Sequence, residues 1–169
     1  MVEHTKEKRR FVYRRRFTSL PETHGEVGEV LLRPVECQDA QRLSELMLDA
    51  YRDTIDYAGE EYQDCLDEVE RLFDGQYGAL RLAESFVLET NGELISAALV
   101  TDYAPLGGPL LAFIITRKSS QRHGYARKLL SRTVSALAKA DESELAAVVT
   151  EGNLASESLL TGLGFIREE

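Results

Sequence analysis

Leu110-Leu111-Ala112-Phe113-Ile114-Ile115-Thr116, followed by Gln121-Arg122-His123-Gly124-Tyr125-Ala126, is the stretch on which the reading of this chain turns. The first part is an apolar run of strand length, entered through the turn Pro105-Leu106-Gly107-Gly108. After the second part, Leu129, Leu130, Val134 and Leu137 recur at the spacing of one helical face. Gln121 to Ala126 therefore joins a strand to a helix. A helix N-terminus leaves about four backbone N–H groups unpaired and carries roughly half a positive charge. Gly124 lets a bulky anion come close to the backbone, and Arg122 adds a charged donor. Such a turn is a pyrophosphate cradle that needs no lysine. Taken alone, the hexapeptide serves equally as an ordinary strand-to-helix connection. His123 reads as a turn residue and not as a base.

Outward from this turn, Leu145 to Thr150 is an all-apolar buried strand, so residues 110–150 form a strand–helix–strand crossover with near-parallel strands. A last helix spans Asn153 to Leu163, Gly164 stops it, and Phe165-Ile166 begin a final strand. Upstream, Val30 to Val35 reads as a strand. Asp39 caps a helix whose buried face is Leu43, Leu46, Met47, Ala50 and Tyr51. A second helix carries Tyr62, Leu66, Val69, Leu72 and Phe73. Ser85 to Glu89 and Leu94 to Tyr103 flank Asn91-Gly92, a strong hairpin signal. The order β-α-α-β-β-β-α-β-α-β predicts an α/β domain over residues 29–169, with a mixed, mostly antiparallel sheet flanked by helices.

Residues 1–28 read as a basic extension that ends in the turn-rich link Pro21-Glu22-Thr23-His24-Gly25. Phe11-Val12-Tyr13 and Phe17 offer it one short strand. The net charge of −9 is uneven: residues 1–20 hold seven Lys/Arg and two acidic residues, about +5, which leaves −14 for the rest. So acidic a body repels a nucleic-acid backbone and attracts cationic partners. The basic start is followed by no apolar stretch of signal-peptide type, and no run is long enough to cross a bilayer. Cys37 and Cys65 read as free thiols in a reducing cytoplasm. Three scattered His and two distant Cys make no metal ligand set.

The turn and its surroundings resemble the GNAT superfamily of coenzyme-A-dependent N-acyltransferases. That family carries Gln/Arg-x-x-Gly-x-Gly/Ala between a strand and a helix, here Gln121 to Ala126. Its next helix begins with Asn and reaches Gly-Phe eleven and twelve residues on, here Asn153 and Gly164-Phe165. The likeness covers residues 29 to 166. It implies that strands 110–116 and 145–150 splay apart and that acetyl-coenzyme A lies between them. Its pantetheine arm would pair with backbone at Ile114, Ile115 and Thr116. Its pyrophosphate would rest on Gln121, Arg122, His123, Gly124, Tyr125 and Ala126, and Asn153 would touch the arm, cap the last helix, or do both.

One departure matters. Many members carry a Tyr eight positions into the Asn…Gly-Phe motif, near the cofactor sulfur, where it is thought to protonate the leaving thiolate; here that position is Leu160. For a base, Glu151 ends the strand close to the expected thioester, with Tyr103 and Asp102 as weaker candidates. Residues 49–70 carry nine acidic side chains, from Asp49 to Glu70, in a region that borders the acceptor site in the family. Such a wall favours a cationic amine, small molecule or peptide. The expected activity is acetyl transfer to an amine in the cytoplasm. Two rivals stay open: an acyl-coenzyme A sensor without catalysis, favoured by Leu160, and a nucleic-acid module using residues 6–16. Finally, the family often ends on two strands, and Phe165 to Glu169 supply too few residues for both. The bare sheet edge then needs the stretch Phe11 to Phe17 or a second subunit in a homodimer.

Overall fold

The computed structural model describes residues 8–18 and 29–169; the link at Pro21 to Gly25, together with His4 and His24, lies outside the described residues. Eight strands form one sheet in the order β2-β4-β5-β6-β7-β1-β8, with β3 pairing on β5. In chain order these are β1 (Arg10–Arg16), β2 (Leu31–Pro34), β3 (Ala79–Leu80), β4 (Phe86–Thr90), β5 (Glu93–Tyr103), β6 (Gly108–Thr116), β7 (Glu144–Thr150) and β8 (Ile166–Arg167). The helices are α1 (Ala40–Tyr51), α2 (Tyr62–Phe73), α3 (Tyr125–Lys139) and α4 (Leu154–Gly162). Among these strands only β6 and β7 run parallel; every other ladder is antiparallel. The mixed, mostly antiparallel sheet expected from the element order is the one observed. Strand β3, two residues long, left no periodic signal to read.

Each face of the sheet buries its own core. On one face, α3 and α4 cover Leu88, Val100, Leu111, Leu145 and Val149 with Leu129, Leu130, Val134 and Leu160. On the other, α1 and α2 cover Val87, Leu94, Ala97 and Leu99 with Leu43, Leu46, Val69 and Leu72. Strand β5 alternates between the two faces, which is why it is apolar almost throughout. The hairpin from β4 to β5 turns on Asn91 and Gly92, both in the left-handed region at φ 49° and 77°, as a two-residue primed turn requires.

Residues 10–16, assigned from sequence to an extension before the domain, are a strand of this same sheet. β1 pairs with β7 along its whole length, from Arg10 opposite Thr150 to Arg16 opposite Glu144, and β8 adds to its other side. Phe11, Tyr13 and Phe17 alternate into the core shared with α3 and α4. Arg14 points to the other face, where it binds Glu144 at 2.7 Å, Glu168 at 2.5 Å and the Leu106 carbonyl at 3.1 Å. Of the two covers weighed for the bare edge of β7, the chain's own strand is the one present. The basic arm thereby neutralises acidic residues of the body, and the two-residue β8 leaves little edge to pair further.

Candidate active site

The site is built by two strands that part. β6 pairs with β5 from Tyr103–Gly108 to Ser96–Thr116, but meets β7 only at Leu110–Ala146 and Leu111–Ala147. At that point the β5–β6 register shifts: Leu99 faces Phe113 and Val100 faces Leu111, so Ala112 is an extra residue. A bulge of this kind bends the strand that carries it, and here it turns β6 away from β7. Beyond it, the Ile115 carbonyl accepts from Ser96 Oγ at 3.0 Å and the Arg117 N–H donates to the Ile95 carbonyl at 2.8 Å. Backbone groups alternate along a strand, so those of Ile114 and Thr116 turn toward the gap. Gln121 Nε2 donates to the Thr116 carbonyl at 3.2 Å.

The gap opens into a cleft of about 1260 Å³ that runs from the start of α3 to the α1–α2 connection. Ile114, Ile115, Thr116, Gln121, Arg122, Gly124, Tyr125, Ala126 and Asn153 all line it. At its upper end Gly124 precedes α3 at φ 76°, and no side chain caps the helix. A Cβ on Gly124 would meet nothing within 4 Å, so the glycine serves the backbone conformation and leaves its approach open. Arg122, also left-handed at φ 63°, forms no ion pair among the described residues. His123 is not part of the lining: its Nδ1 donates to the Gln121 carbonyl at 2.8 Å and its ring stacks on Tyr125 with centroids 5.6 Å apart. Asn153 does two things at once. Its Oδ1 accepts from the Ser156 N–H at 3.2 Å, capping α4, and its Nδ2 donates to Asp56 at 3.0 Å.

The lower end is shaped by α1, α2 and their connection. Asp56, Glu60, Asp64 and Glu68 line it, with Tyr51, Tyr57, Tyr77 and Tyr103 among them. Of the five other acidic residues of that region, four are engaged elsewhere: Asp49 accepts from the Lys118 N–H at 2.7 Å, Asp53 pairs with Lys118 at 3.0 Å, Asp67 accepts from Gln63 at 2.7 Å, and Glu61 caps α2. Removal from water raises the pKa of the Tyr51 phenol, and the charges of Asp56 and Glu68 raise it further. Tyr51 thus stays a hydrogen-bond donor throughout the physiological range. Tyr77 is shifted the same way, by burial and by Glu68, to which its hydroxyl donates at 2.9 Å.

Glu151, named as a base from sequence, does not line the cleft; it is exposed, and its N–H donates to the Arg9 carbonyl at 2.9 Å. Asp102 is likewise diverted, to Arg81 at 3.0 Å, whereas Tyr103 does face the cleft. Leu160 is fully buried and lines the cleft with Leu159, a hydrocarbon surface with no proton to give. Among the lining residues that sequence reasoning misses are Tyr51, because its spacing marks a core face, and Arg10, because it sits in a basic run. Among the described residues no group of His, Cys, Asp or Glu is placed to hold a metal, and no helix is long and apolar enough to cross a membrane.

Solved structures share this architecture. A GCN5-related N-acetyltransferase from Sphaerobacter thermophilus superposes with a TM-score of 0.71 at 13% identity over 94% of this chain; the chain spans 48% of that protein's length. An acetyltransferase from Thermus thermophilus gives 0.63 at 22% identity, covering 81% of this chain and 86% of its own. The aminoglycoside N-acetyltransferase AAC(6')-Iy, in complex with a bisubstrate analogue of coenzyme A and acetylneamine, gives 0.61 at 18% identity over 83% of this chain and 92% of that one. No curated protein was found to match the sequence. The family model for the acetyltransferase (GNAT) domain matches residues 29–166, most of the chain. A parallel strand pair that splays at a bulge, opening onto an uncapped helix, is thus carried here by a sequence that belongs to the GNAT acetyltransferase family.

Proposed function

We propose that the protein transfers an acetyl group from acetyl-coenzyme A to the nitrogen of an amine that arrives as a cation. The observation that carries this is the parting of β6 and β7 directly below the bare N-terminus of α3. In this reading the pantetheine arm adds to β6 as a strand would, its amides meeting the gap-facing backbone groups of Ile114 and Thr116, with Gln121 giving up the Thr116 carbonyl. Ile115 packs beneath them. The pyrophosphate takes the N–H groups that open α3, with Arg122 alongside, and Asn153 exchanges Asp56 for the cofactor arm. The neutral amine then attacks the thioester carbon. The C–N bond forms, the oxyanion is held by a backbone N–H of β6, and the C–S bond breaks to release thiolate. A free thiol ionises near pH 8.5, so the thiolate can depart without an acid at Leu160. Before attack the arriving ammonium gives one proton to the carboxylates of the lower cleft, which Glu151 does not join, and the second proton of the nitrogen leaves to solvent as the adduct collapses. The four carboxylates there support a cationic acceptor. The reading includes a cytoplasmic setting, supported by two free thiols, Cys65 buried and Cys37 exposed.

The test is a calorimetric titration with coenzyme A and with acetyl-coenzyme A, followed by thiol release with a panel of amines. Binding and amine-dependent thiol release are expected; neither heat nor a melting shift at millimolar cofactor would sink the reading. Leu160 favours a second one, an acyl-coenzyme A sensor, for which the cofactor binds and no amine accelerates thiol release. The basic arm gives little support to nucleic-acid binding, because Arg14 and Arg16 face Glu144 of their own chain, at 2.7 and 4.0 Å.

A further inference from the structure

The family match begins at residue 29, yet the wall of the cleft does not. β1 is held against β7 so that its first residue, Arg10, lies opposite Thr150 at the open end of the splay. Phe11 and Tyr13 point into the core under α3 and α4, so Arg10 points to the opposite face, the one that carries α1, α2 and their connection. There it lines the cleft. The chain before it stays close: the Arg9 carbonyl accepts from the Glu151 N–H at 2.9 Å, and Lys8 donates to the Ile55 carbonyl on the α1–α2 connection. Residues 8–10 therefore span from the end of β7 to the acidic wall.

Arginines on the same face of β1 are spent on carboxylates. Arg14 holds Glu144 and Glu168, and Arg16 reaches Glu144. Arg10 forms no ion pair or side-chain hydrogen bond among the described residues, although four carboxylates line the same cleft. Those carboxylates are already engaged. Asp56 accepts from Asn153, Glu68 from Arg71 and Tyr77, Asp64 from the Glu61 N–H and Glu60 from the Ala58 N–H. The Arg10 side chain is exposed and lines the cleft from a backbone fixed by strand pairing, and its guanidinium offers five donors in a planar fork that suits a carboxylate or phosphate.

Resting on the transferase reading above, we infer that β1 completes the acceptor site and that Arg10 selects the acceptor. The acceptor is an amine that also bears an anionic group. Its ammonium faces the carboxylates of the α1–α2 side and its anionic end meets Arg10. Carboxylate and phosphate share this chemistry, and the probes separate them. The fork reads charge at one end of the molecule while the acidic wall reads the opposite charge at the other, so neither a plain polycation nor a plain anion satisfies both.

Paired acceptors test this on the full-length protein: lysine against cadaverine, which lacks the carboxylate, and phosphoethanolamine against ethanolamine. Wild-type kcat/KM is expected to favour the anionic member of at least one pair, and which pair names the group. Arg10→Ala should lower that value by about tenfold or more, mainly through KM, with turnover of the partner that lacks the anionic group and coenzyme A affinity unchanged. Arg10→Glu should reverse the preference, and Arg10→Lys should restore part of it. These substitutions sit on an exposed side chain without an ion pair or hydrogen bond among the described residues, so nearly unchanged melting temperatures are expected. Amine turnover whose acceptor ratios ignore Arg10→Ala and Arg10→Glu overturns the inference alone. Cofactor binding without turnover of any amine overturns the transferase reading, and the inference with it.

Discussion

β7 has two neighbours and treats them differently. Toward β1 it is zipped from Glu144 to Thr150; toward β6 it pairs at Ala146 and Ala147 and then stands apart. The same residues thus have one edge satisfied and one edge left open. An open edge inside a sheet is costly unless something pairs with it, since backbone N–H and C=O groups are obligatory hydrogen-bonding groups. The bulge at Ala112 bends β6 away at the opening, while β1 pairs the far side of β7 along its whole length. What distinguishes the two edges is therefore closure: one is filled by the chain, the other is the edge to which the proposed cofactor arm would add.

The closed edge breaks first and hardest. Removing residues 1–17 takes away the whole partner of β7 and the core side chains Phe11, Tyr13 and Phe17. A sharply lower melting temperature and self-association by light scattering are expected; a monomer that melts unchanged would show that β1 is dispensable. Tyr13→Ala isolates the packing part and should cost about 3 kcal/mol in a denaturant titration.

A control at the opposite end of the sheet comes next. Asp39 is fully buried and binds Arg33 at 2.8 Å and Arg42 at 2.6 Å, while Glu89 binds Arg33 at 2.7 Å. Asp39→Ala removes the buried carboxylate that both arginines share, leaving them only Glu89, and is expected to cost about 3 kcal/mol. It should leave coenzyme A affinity alone, because the cluster is remote from the splay. The pH dependence has a definite sign. Hydrogen bonds and charge from Arg33 hold both Asp39 and Glu89 below the ordinary carboxylate range, against the opposing pull of burial. Their contribution is complete above the unfolded value near 4 and is lost as pH falls through the lower folded values. Melting temperature should therefore drop steeply below about pH 4, with a shallower acid limb in Asp39→Ala.

The open edge is sharpened by its ligand. Acetyl-coenzyme A at about 100 times its dissociation constant should add roughly 2.7 kcal/mol of stability, read as a melting shift. Gly124→Glu should abolish that shift while the protein stays folded. The new side chain meets open space, so it projects a negative charge where phosphate must lie, and φ 76° adds only modest strain. A shift that persists in the folded variant would move the cradle elsewhere.

The smallest effect is expected at Leu160. Leu160→Tyr overfills a buried position and should cost about 1 kcal/mol or a little more. Its value is kinetic: a faster rate with a true acceptor would show that thiolate departure limits turnover, and an unchanged rate would show that it does not.

The elements that were legible in sequence are those whose signals are local. The strand 110–116, the glycine turn after it, the Asn91-Gly92 hairpin and the Asn153 cap each declare themselves within a few residues, because backbone conformation and capping depend on near neighbours. The cofactor end of the cleft follows from them, since a strand, a glycine and a helix start already place N–H groups around an anion. Glu151 shows the limit. Its nearness to the end of β7 was readable, but its direction depends on the turn at Gly152 and on the Arg9 carbonyl that holds its backbone.

By itself, then, the sequence determined the order of elements from β2 onward apart from the two-residue β3, the mixed and mostly antiparallel sheet, and the glycine turn that opens α3. Only the tertiary structure decided where residues 10–16 go, which acidic residues face the cleft, and that Tyr51 and Arg10 share it. The physical reason is sequence distance. Pairing Arg10 with Thr150 or setting Asn153 against Asp56 depends on which edges and surfaces remain uncovered after the rest has packed. Periodicity reports that a side chain is buried or exposed; it carries no information about the partner waiting across a cleft.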